Sequence, residues 1–258
     1  GLTLSQGGLM NLLRRAHGQF RRGREAAVSA LHRAAVVASD ETGVRIEGSN
    51  AYHWVFRSDE AVVHHAAPTR AAAVVHAMMD GHRPAVWISD RYTAQQGHGE
   101  RHRTCLAHLA RDVAYAVEVS DDPVPLRLQL WLGSVFSLAE RVTDLAASTL
   151  AAKRRTLERR LSEILAVPSQ CDLTHALQAK IGRARHQLLV FLDHPGHVAV
   201  TNNRCERALR PAVVQRKVTN GYRAMWAAAG EADVRTVVDT ARLAGADTFG
   251  IILKTIRA

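Results

Sequence analysis

Three acidic residues, Asp40, Asp90 and Glu206, stand where carboxylates can be gathered for metal chemistry. Glu206 is the most conspicuous. It falls in Thr201-Asn202-Asn203-Arg204-Cys205-Glu206-Arg207-Ala208-Leu209-Arg210-Pro211, with Arg216 and Lys217 close behind. A lone acid among cations suits a group that holds a metal ion while its neighbours hold phosphates. The spacing also fits an exposed helix with a Glu206–Arg210 ion pair at i,i+4. Asn202 and Asn203 are good helix caps, because their side-chain oxygens accept from free backbone N–H groups. Pro211 is expected to limit or kink that helix. Asp40 and Asp90 each close an apolar run, Val36-Val37-Ala38-Ser39-Asp40 and Ala85-Val86-Trp87-Ile88-Ser89-Asp90. Short apolar runs bounded by turn residues fit buried strands.

The elements between these acids must position them. Tyr52-His53-Trp54-Val55-Phe56 and Ala61-Val62-Val63-His64-His65 read as strands, being aromatic or β-branched, with a turn at Ser58-Asp59-Glu60 between them. Gly48-Ser49-Asn50 supplies the preceding turn. From Thr69 to Met79 the chain is Ala-rich, with Val74, Val75, Met78 and Met79 on a helical face. Arg103-Thr104-Cys105-Leu106 is expected as a short fifth strand and 107–117 as a helix. Three strands, a helix and a strand ending in an acid form the order of an RNase H-like domain. Its first and fourth strands each carry an acid, and a later helix brings the third. Three such carboxylates bind two hard divalent cations through oxygen, and the ions serve an in-line phosphoryl displacement. Asp40, Asp90 and Glu206 fit those places.

The chain resembles the DDE transposases of the insertion sequence 66 family. The phrases that carry the resemblance run almost end to end. They are Leu4-Ser5 with Leu12-Leu13-Arg14-Arg15-Ala16, then Ser39-Asp40-Glu41-Thr42, Ser89-Asp90-Arg91-Tyr92 and Cys105-Leu106-Ala107-His108-Leu109. Further on come Thr201-Asn202-Asn203, Glu206-Arg207-Ala208-Leu209-Arg210-Pro211, Arg216-Lys217-Val218, Asn220-Gly221-Tyr222-Arg223, and Thr240-Ala241-Arg242-Leu243 with Gly245. The resemblance implies a metal-binding catalytic triad of Asp40, Asp90 and Glu206, holding two Mg²⁺ or Mn²⁺ ions. It implies DNA-phosphate contacts by Arg210, Arg216 and Lys217, and a supporting role for Cys105 and His108 beside the pocket, with Asn203 at the helix start. It further implies DNA partners (transposon ends and target), a homo-oligomer on DNA, and cleavage followed by strand transfer. The chain departs from the family pattern at Leu106, where Trp is usual, and at Ala224-Met225-Trp226-Ala227, where Ser and a Trp-Gly pair are common. It opens at Gly1 without Met, whereas the family carries further N-terminal DNA-binding regions, so a piece of a longer protein or a decayed element is expected. A catalytically silent DNA-binding remnant and a related RNase H-like nuclease are the alternatives.

Composition agrees. Lys plus Arg outnumber Asp plus Glu by 34 to 24, a net charge of +10, which favours a polyanionic partner. No apolar run approaches the roughly 18 residues of a membrane span, and no signal peptide is read at the start. Three cysteines without framework spacing point to reduced thiols and a cytoplasmic setting. His98, His102, Cys105 and His108 lie close in sequence, but the absence of a CxxC pair argues against a structural zinc.

The expected architecture is mixed α/β: three antiparallel strands, then parallel strands, with a helical insertion before the helix carrying the third acid. The expected segments are a helical N-terminal part at 1–35, a first core part at 36–118, the insertion at 119–196 and core completion with C-terminal helices at 197–258. In the insertion, Leu150, Leu157, Leu161 and Ile164 mark an amphipathic helix whose other face carries Lys153, Arg154, Arg155, Arg159 and Arg160. Trp131 fits either core packing or stacking on a flipped base. Two N-terminal helices are expected, one from Thr3-Leu4-Ser5 to His17 and one from Glu25 to Ala35. Two more are expected in the tail, at 231–243 and 248–256.

Overall fold

The computed structural model describes residues 3–258. Its elements are α1 (Gln6–Leu31), β1 (Val36–Ile46), β2 (Ser49–Arg57), β3 (Val62–Ala67), α2 (Ala72–Met79), β4 (Val86–Ser89), β5 (Arg101–Thr104), α3 (Leu106–Val119), α4 (Pro123–Glu140), α5 (Ala147–Leu165), α6 (Asp172–Leu188), α7 (Asn203–Thr219), α8 (Met225–Leu243) and α9 (Thr248–Arg257). The five strands form one mixed sheet in the order β3-β2-β1-β4-β5. The chain divides into two compact units. One comprises the residues through Trp87 with 92–100 and 203–258, and the other comprises 88–91 and 101–202.

In the first unit β1, β2 and β3 form an antiparallel meander. Because side chains alternate across a strand, its two faces separate cleanly. Val37, Trp54, Phe56, Val63 and Ala67 pack with Ala27 and Leu31 of α1 and with Val74, Val75, Met78 and Met79 of α2. Each such large apolar side chain contributes about 1.5–3 kcal/mol when fully buried. On the other face Val55 and Val62 meet Cys205 and Leu209 of α7, while Val44, Ile46, Ala51 and Ala66 meet Ala228 of α8. Helix α8 also closes the exposed edge of β3. The Thr240 hydroxyl accepts from the Val62 N–H at 3.1 Å, and the Thr236 hydroxyl from the His64 N–H at 2.9 Å. An edge that would otherwise present unpaired N–H groups is thereby satisfied.

Two expectations change here. The N-terminal region is one helix, α1, not two. Ser5 caps it by accepting from the Gly8 N–H at 3.0 Å. Neither Gly18 nor Gly23 breaks it, since Phe20, Ala27 and Leu31 keep one apolar face continuous and no proline intervenes. Pro211 does not end α7, which runs through it to Thr219. The missing N–H costs one hydrogen bond, and the packing of Cys205, Leu209 and Ala212 carries the helix across.

After α7 the chain is pinned back to β1. The Tyr222 N–H donates to the Arg45 carbonyl at 2.8 Å, and the Glu47 N–H to the Tyr222 carbonyl at 3.0 Å. Gly221 between them has φ +108°, and a Cβ there would lie 2.0 Å from the Arg45 carbonyl oxygen. Gly221→Ala is therefore expected to lower stability by about 2–4 kcal/mol, measured by urea unfolding, because steric overlap and a disfavoured φ add. An unchanged urea midpoint would refute this close approach.

The second unit is mostly helical. Asp122 caps α4 by accepting from the Val124 N–H at 2.8 Å, with Pro123 at the first helical position. Leu128, Leu132 and Val135 of α4, Leu157 and Leu161 of α5, and Ile181 and Leu188 of α6 are buried. Trp131 belongs to this core, not to a base-stacking surface. It is 3% exposed, and its indole N–H donates to the Leu157 carbonyl at 2.9 Å. The basic face of α5 is partly neutralised. Arg154 bonds Asp193 at 2.6 Å, and Arg159 pairs with Glu163 at 3.2 Å.

Candidate active site

Asp40 lies in the middle of β1, directly opposite Val55 of β2. It is two residues from Ala38, so the two share a sheet face. That face carries the cluster of Val55, Val62, Cys205 and Leu209, against which Ala38 and Ala208 pack. Asp40 is half-buried, and its Oδ1 accepts from the Glu41 N–H at 2.9 Å. Glu206 stands in the first turn of α7, next to Cys205, and is also half-buried. Asp40 thus shares the strand face on which Cys205 and Leu209 of α7 pack, and Glu206 is the α7 residue next to Cys205. An acid in the first turn also benefits from the positive end of the helix dipole.

The Ser39-Asp40-Glu41-Thr42 phrase divides between the two faces. Glu41 points opposite to Asp40, where its carboxylate accepts from Arg70 Nε and from the Gln95 amide. Arg70 in turn lies 3.7 Å from the centre of the Tyr92 ring. Glu41 stands beside Asp40 in the same four-residue phrase. Alternation makes adjacent acids on a strand act on different sides.

Asn203 is the first residue of α7, and Arg210 is exposed along it. Arg216 and Lys217 occupy the last turn and line a cavity of about 410 Å³ with Gly43, Arg45, Asn50 and Tyr52. The Arg216 guanidinium donates to the Gly43 carbonyl, three residues from Asp40 along β1. Two of the three predicted phosphate contacts, Arg216 and Lys217, therefore open onto a concave basic surface beside the strand that carries Asp40, and Arg210 does not line it.

Asp90, Cys105 and His108 lie in the second unit. Asp90 directly follows β4. Cys105 ends the loop before α3, and its N–H donates to the Ser89 carbonyl at 2.8 Å, so the backbone beside Asp90 and the start of α3 are tied together. The Cys105 thiol is buried and accepts from the Asn202 N–H at 3.1 Å. Burial alone pushes the thiol up. Hydrogen bonds from His108 and from the backbone N–H groups of Asn202, His108 and Ala107 outweigh it, and hold the thiol below the ordinary cysteine range. Leu106 is fully buried in the first turn of α3.

A family model described as "Transposase IS66 family" matches residues 1–230 of the chain. No curated protein and no solved structure matches it.

Proposed function

The chain belongs to the IS66 family of transposases, and on that premise we propose that it is an RNase H-like, divalent-metal-dependent enzyme that cleaves insertion-sequence ends and joins them to target DNA. The observation that carries this reading is the docking of α7. The helix bearing Glu206 rests on the face of the sheet from which Asp40 projects, and carries its cations along the same body. The order β3-β2-β1-β4-β5, with β1 next to β4, is the order that the RNase H-like reading requires.

The donor set fits hard cations. Asp40, Asp90 and Glu206 would offer oxygen ligands only, as Mg²⁺ and Mn²⁺ prefer. All three are half-buried rather than sealed in the core. When bound, two ions would activate the attacking hydroxyl and neutralise the leaving oxygen of an in-line displacement. The chain's own residues supply the rest. The Glu41 N–H orients the Asp40 carboxylate. Arg216 and Lys217 would fix backbone phosphates without reading sequence. His108 and Cys105 would hold the chain beside Asp90. Among the described residues no helix is long and apolar enough to cross a membrane.

In this reading Asp40, Asp90 and Glu206 would hold the ions, and Mg²⁺ or Mn²⁺ binding would stabilise the folded state by mass action. At a hundredfold excess over the dissociation constant the gain is about 2.7 kcal/mol, which raises the melting midpoint by roughly 5–10 °C for a chain of this size. Asp90→Ala is expected to lose most of that rise in a thermal-unfolding titration. A rise equal in Asp90→Ala and the parent would move the metal elsewhere, and its absence from both would favour a catalytically silent DNA-binding remnant.

A further inference from the structure

A second cavity, of about 580 Å³, lies wholly within the first unit and is lined by Arg57, Arg204, Arg207 and Arg242 together with Asp239 and Pro211. These residues are far apart in sequence, and only the fold assembles them. Arg57 ends β2 opposite Ala38, on the same sheet face as Asp40. Arg204, Arg207 and Pro211 follow one another at spacings of three and four, so they form one stripe of α7. Arg242 comes from the end of α8.

The charges there do not balance. Arg242 pairs with Asp239 at 2.9 Å, and Asp239 is further engaged by the buried His64 at 3.0 Å. Arg204 pairs with Asp59 at 3.5 Å. Among the described residues no carboxylate pairs with Arg57 or Arg207. Arg207 Nε donates to the Asn203 carbonyl at 3.3 Å, which aims the guanidinium without neutralising it. Burial, with the neighbouring Arg204 and Arg207 cations, pulls Arg57 below the ordinary arginine value, against opposing effects of Cys205 and the Asp59 carboxylate. Uncompensated guanidiniums in a concave site favour a phosphate, which they can bind bidentately.

We propose that this arginine-lined cavity is a second DNA-phosphate anchor, so that the duplex backbone is held at both ends of α7. The inference rests on the transposase reading above. Arg207 and Arg216 are nine residues apart, about 13 Å of helix rise, which spans roughly four base-pair steps at about 3.4 Å each. The two anchors flank Asp40 along the sheet. One is at the Ala38 end through Arg57, and the other is at the Gly43 end through Arg216. A backbone held at both places would be drawn across the strand that carries the acid.

The test is a salt titration of binding to a random-sequence duplex, comparing four proteins: the parent, R57Q/R207Q, R57K/R207K and R216Q/K217Q. Each phosphate contact contributes about 0.9 to the log–log salt slope. R57Q/R207Q is expected to lower the slope by about 1.8 and to weaken binding at least about tenfold at low salt. R57K/R207K, which keeps the charges, is expected to regain most of the slope. Circular dichroism and the melting midpoint check that each variant folds. If R57Q/R207Q binds like the parent while R216Q/K217Q is weakened, the cavity is not a DNA anchor and the transposase reading stands. A Lys variant that folds but behaves like the Gln variant would also overturn the proposal. Inorganic phosphate serves as a separate probe: stabilisation of the parent but not of R57Q/R207Q, with duplex binding unaltered, would make the cavity a free-phosphate site instead. Failure of the parent to bind any duplex would remove both readings.

Discussion

Glu206→Gln is expected to abolish DNA strand cleavage, by at least about a thousandfold or about 4 kcal/mol of transition-state stabilisation, while duplex binding persists. The substitution keeps the size of the side chain and its place in the first turn of α7. Cys205 and Leu209, which dock the helix on the sheet, are untouched. Under the proposed reading one anionic oxygen ligand is lost, and with it affinity for a divalent cation at that position. A negative charge near phosphate also disappears, so non-specific binding should hold or tighten. Asp40→Asn should behave alike, since the substitution keeps the side chain's size and an oxygen that can accept from the Glu41 N–H at 2.9 Å. Glu41→Gln is the contrasting control. It lies on the opposite face against Arg70 and Gln95 and should cost stability more than cleavage. The measurement is a Mn²⁺-supported cleavage assay on duplexes carrying the element's ends, run beside a binding titration. Normal cleavage by Glu206→Gln would show the triad to be misassigned.

Acidification from pH 7.5 to 5 is expected to remove about 2 kcal/mol or more of stability, and the cause lies in three histidines on β2 and β3. His65 is held at about 4 by burial, with the nearby Arg24 cation adding to the effect. His53 is lowered well below its ordinary value, chiefly by burial. Burial likewise lowers His64, although its bond to Asp239 opposes this. His53 Nε2 and His64 Nδ1 lie 3.0 Å apart, and His64 Nε2 is 3.0 Å from Asp239, so the pair fits one neutral tautomer chain running toward the carboxylate. Between pH 4 and about 6.5 the unfolded chain binds protons that the folded His65 refuses, so stability rises with pH in that window. It is fully present above about 6.5 and is lost progressively as pH falls towards 4. A tenfold change in proton affinity is worth about 1.4 kcal/mol, so at pH 5 His65 alone contributes about 2 kcal/mol of loss. Against a typical total of about 5–15 kcal/mol this is large. Urea unfolding at pH 7.5 and 5 measures it, and His65→Gln should flatten the difference by about that amount. A parent protein equally stable at both pH values would contradict the buried, neutral state of these histidines.

The local elements were legible in the sequence because each obeys a short-range rule. Ser5 caps α1, since capping is decided within three or four residues. The antiparallel meander could be read because aromatic and β-branched residues alternate from Tyr52 to Val63 with turn residues between them. The number, order and spacing of family phrases identified the transposase family, which the match over residues 1–230 bears out. Several features needed the fold. Continuity of α1 past Gly18 depends on a tertiary face, Phe20, Ala27 and Leu31, that local propensity does not contain. The passage of α7 through Pro211 depends on packing against β1 and β2, which outweighs one missing hydrogen bond. The arginine cavity joins Arg57, Arg207 and Arg242 from a strand and two helices, and the His53–His64–Asp239 chain joins two strands to a helix. The types of group available for chemistry are written in the sequence, since charge and ligand preference belong to single residues. Which of those groups face one another, and which cations are left without a carboxylate, is decided only when strand register and helix docking bring distant residues to the same side of the sheet.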